Sequence, residues 1–180
     1  MPTLANATAR WVGTWQNERG SVLRIRTVTQ VIIPGGSQTP HFRISGTYQT
    51  AKGAIPFSEY CPVTGYAILD QIGFTVSFHY VFGEEDVKSL TSWAGQILPV
   101  PDNPNQQRLQ TLWHLVPNLA EGDTEDEYGW VIAWAGEDRF RKLSNDPDFD
   151  IPVEADGSVS IVNETVAIPS YADAVRAQHE

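Results

Sequence analysis

The chain has 180 residues, a formal net charge of −10, 19% charged residues and 11% aromatic ones, a balance that suits one folded β-rich domain with something left over rather than a disordered chain. The charge is uneven: residues 144–180 hold eight acids against the single base Arg176, so most of the net charge sits in the tail. No basic stripe appears, which argues against nucleic acid or an anionic membrane as partner.

In chain order, alternating or β-rich segments fall at roughly 11–16, 21–29, 41–51, 63–69, 73–82, 89–98, 107–116 and 128–141. Between them lie turn compositions: Glu18-Arg19-Gly20, Pro34-Gly35-Gly36-Ser37, Asp70-Gln71, Gly83 to Asp86, Pro99 to Asn105 and Pro117 to Glu127. No stretch before residue 143 shows a helical period. Eight strands in simple succession predict an all-β fold, an eight-stranded antiparallel up-and-down β-barrel, which removes its sheet edges by closing on itself. A two-sheet sandwich is the rival. Residues 10–143 form the expected barrel and 144–180 an acidic C-terminal tail, with too few apolar residues for its own core. Within the tail, Val153 to Val166 reads as a hairpin around Asp156-Gly157 and Ser170 to Gln178 as a short helix capped by Ser170. The tail is expected to be mobile or docked on the outside of the barrel.

Catalytic signatures are missing. His41, His79, His114 and His179 lack metal-ligand spacing. The acidic run Glu121 to Glu127 lacks the order of a calcium loop. There is no nucleophile elbow, phosphate loop or dinucleotide fingerprint. Cys61 is the only cysteine, so no intrachain disulfide forms and a buried, inert thiol is expected. No apolar run approaches the ~18–20 residues of a membrane span. Met1 to Arg10 has neither the charged nor the apolar region of a secretory signal, which favours an intracellular protein. These readings point to a binding protein, not an enzyme, with no cofactor and no metal.

Six motifs in order carry a family likeness: Gly13-Thr14-Trp15-Gln16-Asn17-Glu18-Arg19-Gly20-Ser21, Gly46-Thr47-Tyr48-Gln49-Thr50-Ala51, Gly73-Phe74-Thr75-Val76-Ser77-Phe78, Ser89-Leu90-Thr91-Ser92-Trp93-Ala94-Gly95-Gln96, Gln110-Thr111-Leu112-Trp113, and Trp130 followed eight residues later by Asp138. Over about residues 11–142 the chain resembles the avidin/streptavidin family, whose barrel holds one small ligand. The resemblance implies biotin as ligand, bound without catalysis at the open end of each barrel. Asn17, Ser21 and Tyr48 would donate to the ureido oxygen, much as an oxyanion hole does. Asp138 and Thr50 would accept from the ureido N–H groups, Asp138 through a charge-assisted bond. Thr91 would approach the sulfur and Ser89 the valerate carboxylate. Trp93 and Trp113 would be apolar walls, with Phe78 standing where the family usually has another Trp. Trp130 resembles the tryptophan lent to a neighbouring subunit, which implies a homotetramer.

Read without the family, Asn17 and Ser21 also suit a hairpin cap, Thr50, Ser89 and Thr91 are ordinary strand residues, and Trp15, Trp93 and Trp113 suit barrel packing. Trp130 would then contact its own barrel. Asp138 is the hardest to explain this way, because an acid late in an apolar strand needs a partner or water. Arg19 and Lys52 depart from the family pattern. They would pair with the ligand carboxylate or select a different anionic ligand. The alternative function is therefore the same barrel repurposed for another small molecule, or as an enzyme using Asp138 beside Tyr48. The tail is a further candidate, docking on a partner or plugging the site.

Overall fold

A computed structural model describes residues 3–32, 34–35, 39–53, 55–83, 85–118 and 134–170. Eight strands follow a short helix: α1 (Leu4–Trp11), β1 (Gly13–Asn17), β2 (Val22–Val31), β3 (His41–Gln49), β4 (Cys61–Ile68), β5 (Gln71–Phe82), β6 (Glu85–Val100), β7 (Asn103–Pro117) and β8 (Trp134–Ser144). Each strand pairs antiparallel with its neighbour, and β1 closes on β8, so the sheet is the closed up-and-down barrel that the sequence predicts. Strands β5 to β7 run longer than expected because each continues as a paired hairpin, from Phe82↔Glu85 to Val100↔Asn103.

Helix α1 corrects the expectation that nothing before residue 143 is helical. Eight residues are about two turns, too few for a period to show. Its start is nonetheless built locally: Thr3 is the N-cap, its hydroxyl accepting from the Asn6 N–H at 3.2 Å. The helix crosses one end of the barrel and puts Ala7 and Trp11 into the main core. Trp11 thus ends a helix rather than opening a strand. Its carbonyl accepts from Trp15 Nε1 at 3.1 Å, and the two indoles lie 6.0 Å apart. Trp15 therefore packs at this closed end, as its sequence context suggests. Arg10 reaches Asp70 in the β4–β5 turn at 2.5 Å. Lys142 donates to the carbonyls of Ala9 and Arg10 at 2.9 and 3.0 Å, at the helix C-terminus where a cation is favoured. Burial, then the neighbouring Arg10 charge, lowers its pKa to about 8.

The core runs through the barrel as Trp15, Leu23, Ile25, Phe42, Ile44, Val63, Phe74, Val76, Leu109 and Phe140, each inward by strand alternation. Cys61 is buried and free, and burial, with Glu59, pushes its thiol pKa upward, away from reactivity. A second apolar cluster lies outside the barrel wall, where Val22, Leu143 and Ile151 pack with Phe57, Phe149, Val159 and Val162. The described part of the tail builds it, so residues 146–170 dock on the barrel. The expected hairpin is present as a turn at Asp156-Gly157 with one bridge, Val153↔Val159. The expected helix from Ser170 lies outside the described residues beyond its cap. Among the described residues no helix is long and apolar enough to cross a membrane.

Gly13 sits where β1 meets β8, with φ +136° and only 2.1 Å between a would-be Cβ and the Ser144 carbonyl oxygen. Gly13→Ala is expected to destabilise the protein by at least about 2 kcal/mol, combining left-handed strain with a backbone clash. A lower denaturant midpoint at unchanged m-value measures it.

Candidate binding site at the open end of the barrel

The end opposite α1 opens into a cavity of about 180 Å³. It has a polar side on the β1–β2 turn and an aromatic side on β5 to β7. The turn is shaped by Asn17. Its backbone N–H donates to the Ser21 carbonyl at 3.0 Å, and its carbonyl accepts from Gly20, whose φ of +92° suits glycine. The Asn17 side-chain oxygen accepts from the N–H groups of Arg19 and Ser21 at 3.0 and 2.9 Å. With its oxygen committed to the turn, Asn17 keeps its NH₂ donors for the cavity. The hairpin-cap reading and the ligand-donor reading of Asn17 are therefore two ends of one amide.

Ser21 is held by the Ala51 N–H, which donates to its hydroxyl oxygen at 3.0 Å. That oxygen can still donate its proton, and Tyr48 lies within its hydrogen-bond reach. Burial, reinforced by the nearby Asp138 charge, drives the Tyr48 pKa well above the ordinary phenol value. Tyr48 is consequently a permanent donor and not a base. Thr50 lines the cavity while closing a local turn, donating to the Lys52 carbonyl at 2.5 Å and accepting from the Lys52 N–H at 3.2 Å.

The aromatic side is an ordered stack. Trp93 lies flat on Phe74 at 5.1 Å and 8°, and against Tyr48 at 5.2 Å. Phe78 meets the Tyr48 ring edge-on at 6.0 Å and 87°. Trp113 faces Gly136 across the β7–β8 ladder. A Cβ at Gly136 would stand 2.5 Å from the indole, so glycine there lets the ring lie against the strand.

Asp138 joins the two sides. It is 3% exposed, and its Oδ2 accepts from Trp93 Nε1 at 2.9 Å. Its Oδ1 has no hydrogen-bond partner, although the Arg19 guanidinium stands 3.7 Å away at the cavity mouth. Burial raises the Asp138 pKa; the Trp93 N–H opposes this, Glu18 adds to it, and Arg19 and Asn17 oppose it. The Thr91 hydroxyl, 2% exposed on the same lining, is also unpartnered. Buried polar atoms left open in this way are costly unless something else completes them.

Of the residues singled out in the sequence, Asn17, Ser21, Tyr48, Thr50, Phe78, Thr91, Trp93, Trp113 and Asp138 all line this one cavity. Arg19 and Lys52 line it too. Ser89 does not; it pairs with Phe78 across β5–β6, on the same inner face as Thr91 and Trp93 but one step nearer the rim than the cavity lining. Trp130 lies outside the described residues. Leu115 was missed, although the inward alternation Trp113, Leu115 along β7 signals it. Trp134 is exposed, opposite the cavity-lining Leu115 across β7–β8. No group of His, Cys, Asp and Glu able to hold a metal is found among the described residues.

Fold and site together define a closed antiparallel barrel with a polar-and-aromatic cup at one end, the make-up of a small-molecule site. The chain belongs to the Avidin family, whose model matches residues 5–143. Among solved structures it is similar to a low-affinity mutant of shwanavidin, at 26% identity and a TM-score of 0.51 over 74% of this chain and 94% of that one. Apo shwanavidin is similar at 24% identity and a TM-score of 0.50, covering 74% and 96%. Xenavidin is similar at 27% identity and a TM-score of 0.49, covering 74% and 97%. No curated protein sequence matches the chain.

The raised Asp138 pKa has a stability consequence. The folded state holds this proton more tightly than the unfolded chain does, so the ionised carboxylate costs stability above the raised pKa, and that cost disappears as pH falls through it. Asp138→Asn is expected to leave the ligand-free protein as stable or more stable at pH 7, with the difference shrinking in acid. Melting temperatures of the two proteins across pH 3–8 give the comparison.

Proposed function

We propose that this protein binds biotin without catalysis and sequesters it, one molecule in the open end of each barrel of a homotetramer. The observation that carries the reading is the buried Asp138 Oδ1, left open beside the donors of Asn17, Ser21 and Tyr48. A ureido group supplies what these atoms lack: an oxygen for the donors and N–H groups for Asp138 and Thr50. Charge developing on the ureido oxygen strengthens bonds that the turn holds ready. Thr91 would meet the sulfur, while Phe78, Trp93 and Trp113 enclose the rings. The low-affinity shwanavidin mutant supports a family site whose affinity depends on individual residues.

The acid end of the ligand would leave by the mouth, where Arg19 and Lys52 stand. Ser89, on the inner face two residues beyond Thr91, would meet that carboxylate there. The tetramer reading is supported by the apolar outer face of β4 to β7, where Tyr66, Leu90, Leu112 and Val116 are exposed. Trp130 would be lent to a neighbouring barrel. One observation favours the second reading, another anionic ligand in the same cup: Arg19 sits beside Asp138, where the family likeness leads one to expect an apolar side chain.

Biotin is expected to change the tryptophan fluorescence saturably and to raise the melting temperature, by about 2.7 kcal/mol of stabilisation at 100 times Kd. No saturable change and no thermal shift would overturn the reading, and a monomer by light scattering would remove the tetramer. Asp138→Asn should weaken biotin by at least about tenfold through loss of a charge-assisted bond. Because only the ionised Asp138 offers a charge-assisted acceptor, affinity should be highest above its raised pKa and fall, by at most about tenfold per unit, below it. In Asp138→Asn that acid limb should vanish.

A further inference from the structure

Strand β1 is buried on both faces. Inward, Trp15 enters the core and Asn17 the cavity. Outward, Thr14 and Gln16 are covered by the tail, a segment beyond the residues matched by the family model. Thr14 donates to the Asp146 carbonyl at 2.8 Å. Gln16 grips the returning strap at two points: its Nε2 donates to the Ser160 carbonyl at 2.8 Å, and its Oε1 accepts from the Val162 N–H at 2.9 Å. The same Nε2 lies 3.4 Å from the Gly20 carbonyl. One buried side chain therefore ties the strap to the turn that carries Asn17, Arg19 and Ser21.

Packing repeats the connection. A Cβ on Gly20 would touch Ala51 at 3.3 Å and Val159 and Ile161 at 3.5 Å, so the strap, the β1–β2 turn and the loop after β3 meet at that glycine. Lower down, Arg24 bonds the Gln49 side chain and lies 3.4 Å from the Phe149 carbonyl, while Gln49 donates to the Phe57 carbonyl at 2.7 Å. The strap then returns to the closed end. There the Val166 N–H donates to the Lys142 carbonyl at 2.9 Å, Ile168 joins the main core, and the Pro169 carbonyl accepts from Arg10. It is anchored at both ends and crosses the site from behind.

We propose that the C-terminal strap, locked by Gln16, is a positioning element of the binding site: it holds the β1–β2 turn and the Ala51–Gly53 loop in the geometry that places the Asn17 and Ser21 donors. The physical need is clear. Strand β1 pairs with β2 only from Gly13↔Ile25 to Gln16↔Val22, so the turn beyond has little ladder to restrain it. Donors meant for one oxygen act best when their order is present before the ligand arrives. Gln16 touches no ligand; it acts through Asn17 and Gly20. The role goes beyond the binding reading and rests on it only for its effect on affinity.

Two measurements on the ligand-free, full-length protein decide the point independently of any ligand. By native-state hydrogen exchange, the Val162 N–H should open together with the Arg19 and Ser21 N–H groups, at one free energy and one denaturant dependence, as a single cooperative unit. In Gln16→Ala, the Arg19 and Ser21 amides should exchange about tenfold faster or more, with Val76 and Trp93 on the far wall unchanged. Separate openings, or unchanged rates in the variant, would overturn the proposal. If Gln16→Ala does not fold, the unmodified chain still answers through the first measurement. A third arm addresses affinity: biotin should leave Gln16→Ala at least about tenfold faster, with a smaller thermal increment on binding. A merely structural role would lower free and bound melting temperatures alike and leave that increment unchanged. If the unmodified chain fails to bind biotin, the functional reading falls while the exchange data still judge the strap.

Discussion

The constraint on which this structure rests is the double duty of β1. Five residues long, it must close the barrel by pairing with β2 on one edge and β8 on the other. Its register on β8 sets Asn17 opposite Phe140, and that pairing brings the β1–β2 turn over Asp138. Glu18 reinforces the closure, its carboxylate accepting from the Arg139 N–H at 2.8 Å. A strand so short has few ladder bonds, and its stability comes from being covered inside by the core and outside by the tail.

The site follows from that closure as an electrostatic arrangement. A single buried carboxylate faces an aromatic stack, with neutral donors on one side and cations at the rim. The desolvated Asp138 is tolerable because Trp93 donates to one oxygen and Arg19 stands near the other. Trp93 is in turn fixed by Phe74 beneath it, so the indole N–H cannot turn away. Tyr48 touches both halves, its ring in the stack and its hydroxyl near Ser21. Packing and polarity here are one construction, which is how a site keeps unpaired polar atoms poised without collapse.

Much of this was legible in the chain. Alternation and turn chemistry gave away the strand succession, since a period of two repeats several times even in a short strand. The ordered motifs around Trp15, Tyr48, Trp93 and Asp138 brought nearly all the cavity lining into view. What escaped did so for definable reasons. Helix α1 is too short for its period to register and is held by Lys142 and Arg10, contacts made across the whole chain. Gly136 looks like a featureless strand glycine until Trp113 is laid against it. Ser89 continues the inward alternation of Trp93 and Thr91, yet only the depth of the closed barrel sets it beyond the cavity lining.

The sequence by itself determined the all-β class, the closed antiparallel succession, the family likeness and the side chains that gather at the open end, because these depend on local pattern and on motif order. Only the tertiary structure decided how those side chains are held. The division of the Asn17 amide between turn and cavity, the open oxygen of Asp138 and the grip of Gln16 on Ser160 and Val162 join residues far apart in the chain. No local pattern encodes such pairs. They exist because closing the barrel brings separate segments to within hydrogen-bond distance, where direction and burial set what each polar atom can do.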